Sequence, residues 1–515
     1  MRDLLDERAE RFSDKVWLIF EDKAGVVRTW TYREFAQSVD AVAAGLAGLG
    51  VGPGDAVTVH LPNCPEVLQS WFALGALGAL MVPSNIANTA GELQHVMSYS
   101  DSVAVVTQSS LLPVVQEALG SCPDVRHTIL ARTSEIPDGV VAFDDLLATT
   151  DVPPRPTVHE EDVVQMLFTS GTTARPKGVL LTHANALRAG ERYSRSLYLD
   201  QSDRCLTSLP VFHVNAQCLT VLSSMTVGGS CVVLEEYRAT KFMDQVRAHE
   251  ATQMSVVAMQ ARTLLAQPPR DVDAQHKLRR VFYAINISDA EKEEFERRYA
   301  VELINGYGLS EAMTLVAVAP VFGPKKWPSL GLPAYDRQVR LVDAFGADVP
   351  VGEVGEIIVW GIPGRTLMKG YHKDPEATAK ALRDGWLYTG DNAYADEQGY
   401  LYWFDRGKDM IKRAGENVST AEVESVLADH PDVVEVAVFG VPDDIRDEAV
   451  KAVLVARTGS TLVPEEIQAF CATRLASFKV PTVIEIRDEL PKTSIGKIAK
   501  KLLREESLAG REEPS

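Results

Sequence analysis

Between Thr31 and Val106 the chain keeps switching from a helical hydrophobic period to short runs of strand-forming residues, and that alternation limits its fold more than any other feature. Thr31-Tyr-Arg-Glu34 has the spacing of a capping box, in which a hydroxyl takes a first-turn amide while the glutamate reaches back to the cap. Phe35, Val39, Val42, Leu46 and Leu49 follow at helical spacing, and Gly50 can close the helix. The pattern then predicts a strand over 56–60, a helix over 65–80, a strand at 81–83, a helix over 92–99 and a buried strand over 103–106. Strands joined through helices cannot pair as hairpins, so the expected core is a mainly parallel sheet covered by helices.

At 515 residues the chain is long enough for about three compact units. A proline-rich stretch at 151–156 reads as a connection, and strand-like runs with short turns over 339–359 as a small β-rich subdomain. After Arg406 the pattern changes to a compact α+β unit: helices over 421–428 and 464–475, and strands over 433–438, 449–455 and 483–486. The polar tail after Leu503 is expected to fray. The expected class is therefore α/β, with a large multi-layer N-terminal domain (βα layers plus the β subdomain) over residues 1–405. A smaller, mobile α+β lid domain follows over 406–515.

The formal charge is −19, with no basic stripe to offset it, which argues against nucleic-acid or anionic-membrane partners. An anionic substrate must instead meet a local positive site. The first residues are charged rather than apolar, and no long apolar run follows, so a cytoplasmic protein is expected. The six cysteines form no CxxC pair and no zinc-type cluster. Cys205, Cys218 and Cys231 lie in apolar runs and read as buried thiols.

The strongest chemical signal is LFTSGTTARPKGVLLTH at 167–183: an apolar strand, a loop of small hydroxylated residues and glycine, a lysine, and a second strand. Backbone amides and hydroxyls of such a loop suit phosphate oxygens, with Lys177 as a compact positive charge. The spacing is not that of a Walker A loop.

This loop resembles the phosphate-binding signature of the adenylate-forming superfamily, which includes acyl-CoA synthetases, peptide-synthetase adenylation domains and beetle luciferases. Four further segments fall in that family's order: NGYGLSE at 305–311, YTGD at 388–391, DRGKDMIKRAGEN at 405–417 and PKTSIGK at 491–497. The resemblance implies an ATP site in which Thr169, Ser170, Gly171, Thr172, Thr173 and Lys177 hold phosphates. Asn305, Gly306, Tyr307, Gly308 and Ser310 would surround the adenine, and Glu311 would hold Mg2+. Two ribose hydroxyls would fall to Asp391, reinforced by Arg406. Residue chemistry agrees: an aromatic ring can stack on a base, and a carboxylate suits a hard cation.

The implied reaction begins with attack of a substrate oxygen on the α-phosphorus of ATP, with pyrophosphate leaving. Lys497 would bridge the attacking and phosphoryl oxygens. The C-terminal domain would then turn about Lys408, bringing Lys412 and Gly415 to the site, where a pantetheine arm of CoA approaches. His213, in LPVFHVN at 209–215, matches the position that guards the carboxylate pocket.

LPNCPE (61–66), LPVFH (209–213), SDAEKEEF (288–295), WPSLG (327–331) and IRDEAVK (445–451) resemble the crotonobetaine/carnitine–CoA ligase branch. SFKVP at 477–481 also favours free CoA as acceptor. Ile495 stands where the family's lysine motif usually has a serine or threonine, and Ala174 where glycine is common. YAINIS (283–288) stands where family members usually have a Gly-Gly-Ala-like turn, a point at which the ligases just named also depart. The pocket walls are expected over 211–224 and 305–314, with Asn215 and Gln217 adding polarity suited to a small polar or aromatic acid. Two alternatives stay open: a secondary-metabolism enzyme with a non-CoA acceptor, such as a diazotase activating nitrite for an aryl amine, and a nucleotide-binding pseudoenzyme.

Overall fold

The computed structural model describes residues 1–151, 155–169, 176–284, 287, 289–406, 410–457, 459–460, 462–491 and 498–509. Among them the chain forms four sheets. Leu80–Pro83, Ala56–Val59, Ser102–Gln108 and His127–Ala131 pair in parallel. Val163–Thr169 joins them in parallel and then turns back antiparallel into Lys177–Thr182. A second large sheet is parallel through its centre, from Val16–Glu21 through Ser230–Leu234, Arg204–Thr207, Gln253–Val257 and Arg280–Ala284 to Leu303–Leu309.

The main hydrophobic core lies between these sheets and their helices, with Trp17, Phe35 and Phe72 fully buried. Ring centroids of Trp17 and Phe35 are 4.4 Å apart and those of Phe35 and Phe72 5.7 Å, both edge-on, as the quadrupoles of aromatic rings prefer. The capping box predicted at Thr31 is built as expected, and a second, not anticipated from the sequence, opens the helix expected over 92–99. Thr31 and Glu34 form a complete capping box at Tyr32–Gly48, and Thr89 and Glu92 form a second at Ala90–Tyr99. The helix predicted over 65–80 stops at Ala76, because Gly78 takes φ +68 and the chain reverses into the strand Leu80–Pro83.

The β subdomain forms over Gln338–Val342, Gly355–Trp360, Trp386–Ala395 and Leu401–Arg406. The C-terminal part carries its own antiparallel-rich sheet, in which Met410–Arg413 and Glu416–Ser419 form a hairpin around Ala414 and Gly415. That sheet has separate cores on its two faces, one around Ile411, Val423 and Leu454, the other around Phe439, Val453 and Leu503. The tail departs from expectation: residues Lys500–Ala509 are helical, because Leu503 is buried against the sheet and Arg487 pairs with Glu506 at 2.7 Å. All six cysteines are free and buried. No helix among the described residues is long and apolar enough to cross a membrane.

Candidate active site

The sequence motifs converge on one cleft of about 700 Å³. Its floor lies at the carboxyl ends of the parallel strands, after Pro83 and at Thr169, where open α/β sheets bind ligands because loops there diverge and leave a crevice. A larger concavity, about 1020 Å³, opens at the opposite strand ends around Asp55, Asp101, Arg126 and Asp162. Of the quoted motifs it touches only Leu180, and it carries none of the candidate site residues.

On the large-domain side Thr169 and Lys177 face the cleft as the paired ends of two antiparallel strands. Gly308, Ser310 and Glu311 face them from the end of Leu303–Leu309 and the short helical turn that follows. The Tyr371 hydroxyl donates to Glu311 Oε1 at 2.9 Å, and the Lys177 ammonium lies 5.0 Å from the centre of the Tyr371 ring. Burial, and then the Glu311 carboxylate, push the Tyr371 hydroxyl well above its ordinary pKa, so it remains a donor.

Other predicted nucleotide residues sit deeper. Tyr307 is 8% exposed, and its hydroxyl donates to Asp391 Oδ2 at 2.6 Å. Its ring centroid is 6.0 Å from that of Trp403, so the ring expected to stack on a base packs here beside another aromatic. Asp391 is fully buried, next to the cleft-lining Thr389. Asn305 donates to the Ser329 carbonyl at 2.8 Å, a bond that anchors a loop. Gly306 is required for packing, since a Cβ there would stand 2.6 Å from the Phe282 ring. Neither residue lines the cleft.

The opposite wall comes from the C-terminal hairpin. Gly415, Glu416 and Asn417 enter the cleft, and Gly415 adopts φ +89, the left-handed region where only glycine is unstrained. Glu416 Oε2 lies 3.0 Å from His213 Nε2, and Asn85 Nδ2 donates to Glu416 Oε1 at 3.3 Å. Burial works against a charged His213, yet the Glu416 carboxylate outweighs it and raises the imidazole above its ordinary pKa. Burial likewise opposes Glu416 ionisation, and His213, Lys479 and Asn85 together hold the carboxylate below its usual range. Lys412 stands apart from the cleft, its ammonium 4.2 Å from the Trp403 ring centre.

Two further ionic contacts tie the hairpin's domain to the large one. Lys479 Nζ sits between Glu92 Oε1 at 2.7 Å and Glu422 Oε1 at 2.8 Å, all three nearly buried, and the two carboxylates raise its pKa against the effect of burial. Arg262 donates to Asp447 at 2.8 Å.

Of the expected site residues, the structure gathers Thr169, Lys177, Gly308, Ser310, Glu311, His213 and Gly415 around one cleft. Ser170, Gly171, Thr172, Thr173, Ala174, Lys408, Ile495 and Lys497 lie outside the described residues, as does the side chain of Arg406, whose backbone pairs with Asp391. Asn215 lines the cleft as expected. Gln217 does not add polarity there: it is fully buried, donating to the Val211 carbonyl and accepting from Gln165, both at 2.8 Å. Sequence reasoning assigned no role to Tyr371, Glu416, Glu92 or Lys479. Glu416 and Lys479 stood inside quoted motifs, whereas Tyr371 carried only an unremarked Gly-Tyr dipeptide as its signal.

Thr169 and Lys177 on one side of the cleft and an inserted hairpin on the other place anion-binding groups where two parts of the chain meet. Residues 5–372 match the family model described as AMP-binding enzyme, and residues 422–497 match the AMP-binding enzyme C-terminal domain. The crotonobetaine/carnitine–CoA ligase of Salmonella typhimurium (strain LT2) is 39% identical over 509 residues, 98% of each chain. Among solved structures, a double mutant of the o-succinylbenzoate CoA synthetase of Bacillus subtilis, bound to a product analogue, superposes with a TM-score of 0.84 at 26% identity, covering 98% of each chain. The amide bond synthetase McbA of Marinactinospora thermotolerans gives 0.85 at 27% identity, over 97% of this chain and 99% of its own. The chain belongs to the AMP-binding enzyme family and is an adenylate-forming ligase.

Proposed function

We propose that the protein is an AMP-forming acid–CoA ligase: it adenylates a small polar or aromatic acid with release of pyrophosphate, then passes the acyl group to CoA. The observation that carries this reading is the meeting of Lys177 and Glu311 with the Gly415 hairpin in one cleft between two domains. The similarity to CoA ligases supports CoA as acceptor over the diazotase and pseudoenzyme alternatives.

In the first step two anions must approach one another, so positioning and charge neutralisation dominate. Lys177 offsets phosphate charge, and Thr169 with the loop that follows it cradles the phosphates. The Glu311 carboxylate fits Mg2+. One of its oxygens is fixed by Tyr371, and a magnesium site typically takes one or two protein carboxylates with phosphates and water completing it. Bound there, Mg2+ would supply neutralisation of phosphate charge. Asp391 and Arg406 take the ribose, and Asn305 and Gly306 shape the adenine wall from behind. Tyr307 braces Asp391 from beneath the cleft, and Lys497 carries the adenylation step.

We assign to the second step the arrangement in which Gly415, Glu416 and Asn417 of the hairpin line the cleft. Gly415 leaves room for a narrow pantetheine arm, His213 and Glu416 border the acyl carbon, and Lys412 steadies the hairpin from outside. The reading divides the chain into 1–405 and 406–515, supported by the end of Leu401–Arg406 in one sheet and the start of Met410–Arg413 in another. ATP, Mg2+, CoA and a small acid are its ligands; nucleic acid and membrane are not partners, and the setting is cytoplasmic.

The test is mass spectrometry of the protein with ATP, Mg2+ and a panel of carboxylic acids and nitrite, with CoA or an aryl amine as acceptor. An acyl-CoA formed from one acid supports the reading and names the acid. AMP release that ignores CoA and needs an amine or nitrite overturns it.

A further inference from the structure

The segment from Met368 to His372 ties together the two walls that carry charge. The Met368 amide donates to the Glu311 carbonyl at 2.8 Å, while the Lys369 and His372 amides donate to Leu180 at 2.9 Å and Gly178 at 2.8 Å on the lysine strand. Tyr371 pairs in register with Val179, two residues along from Lys177 on the same strand face. That placement brings the Lys177 side chain across the Tyr371 ring. The Tyr371 amide is itself held by the Thr378 hydroxyl at 2.9 Å, at the start of a helix capped by Asp374. So the backbone that carries the ring is tied to the Glu311 turn, to the lysine strand and to Thr378, and the side chain meets two partners: hydroxyl to Glu311, π-face to Lys177.

We propose that Tyr371 is a positioning residue for the nucleotide site, using its hydroxyl to orient the Glu311 carboxylate for the magnesium of MgATP and its ring to hold Lys177 beside the phosphates. This rests on the reading of Lys177 and Glu311 as nucleotide-facing groups. A hydrogen bond to a carboxylate restricts which oxygen it presents, and an aromatic face attracts an ammonium without neutralising it, so the lysine stays available to phosphate. The two functions are separable by mutation. Tyr371→Phe removes the hydroxyl and keeps the ring, whereas Tyr371→Leu removes both.

Binding is measured by titration calorimetry on the full-length protein, with ATP in excess Mg2+ and with ATP in excess EDTA. Tyr371→Phe is expected to weaken MgATP binding about tenfold, the scale of one hydrogen bond to a charged group, while leaving metal-free ATP at the wild-type affinity. Tyr371→Leu is expected to weaken both. In ATP–pyrophosphate exchange, Tyr371→Phe should raise the Mg2+ concentration needed for half-maximal rate and regain most of its rate at saturating Mg2+. A general packing defect would instead lower both affinities alike. Equal loss of both affinities in Tyr371→Phe, or no loss of either, overturns the proposal. Glu311→Gln serves as the reference. If it too retains full preference for MgATP, the assignment of the nucleotide site fails. If it loses that preference and Tyr371→Phe keeps it, only the role of Tyr371 fails.

Discussion

The two walls of the cleft are built by different physics. On the large-domain wall, Lys177, Glu311 and Tyr371 hang from strands and turns whose backbone bonds are complete within that domain, and the supporting sheet is buried on both faces. On the hairpin wall, Glu416 is held by contacts that cross between domains, with Arg262 to Asp447 and Glu92 to Lys479 as the other ties. One wall is organised before any domain closes; the other exists only while charged partners meet. The contrast teaches that the two walls are held independently: the hairpin's domain has hydrophobic cores of its own, and its side-chain ties to the large domain described above are ionic and hydrogen-bonded.

The sharpest way to break this contrast is at Lys479. With Lys479→Met, Glu92 and Glu422 face each other in a buried space without a cation. Loss of one partner from such a site costs about 3–5 kcal/mol. Differential scanning calorimetry should show a marked fall in stability of the C-terminal unit, and an unchanged thermogram would refute the latch. On the other wall, Glu311→Gln should lower ATP–pyrophosphate exchange by about 10²–10³-fold, the usual scale for losing one preorganised charge-stabilising group. Its melting temperature should stay near wild type, because no buried partner is left unpaired. A large melting shift would mean that Glu311 is structural.

The smallest effect concerns pH. His213 has a folded pKa above its ordinary 6.5, so its share of hairpin docking is complete below 6.5 and is lost as pH rises through the raised value. Glu416 lies below its ordinary 4.5, so its share is present above 4.5 and is lost as pH falls through the lowered value. Docking is therefore strongest between these two limits. Because the His213 side chain is 41% exposed, solvent screening keeps its share to about 1 kcal/mol or less. Hydrogen exchange across residues 410–419, corrected for intrinsic rates, should speed up several-fold from pH 6 to pH 8.5. His213→Gln should flatten that dependence, and an equally steep profile in the variant would assign the pH response elsewhere.

Much of the site was legible because chemistry and geometry sit close in sequence. Thr169 and Lys177 are paired ends of consecutive antiparallel strands, and Glu311 follows closely on the strand Leu303–Leu309. Gly415 was legible as a close-approach glycine and has the positive φ that such a position needs. The misreadings have a common cause. Gln217 looked like a pocket group because polarity is visible in a sequence, but Gln165, 52 residues away, claims its side chain. The tail after Leu503 looked frayed because its composition is polar, yet one buried leucine and pairs with a distant strand hold it helical.

The alternation of strands and helices, the capping box at Thr31, the order of the motifs and the α/β class could all be read from the chain alone, since these follow from local periodicity and short-range hydrogen bonding. Only the tertiary structure decided the partners: Tyr371 beneath Lys177 and against Glu311, Lys479 between two carboxylates, and Glu416 against His213, 203 residues apart. A charged or aromatic side chain shows what it can bond to. Which partner it meets depends on how sheets and domains close, and that is set by burial and register across the whole fold.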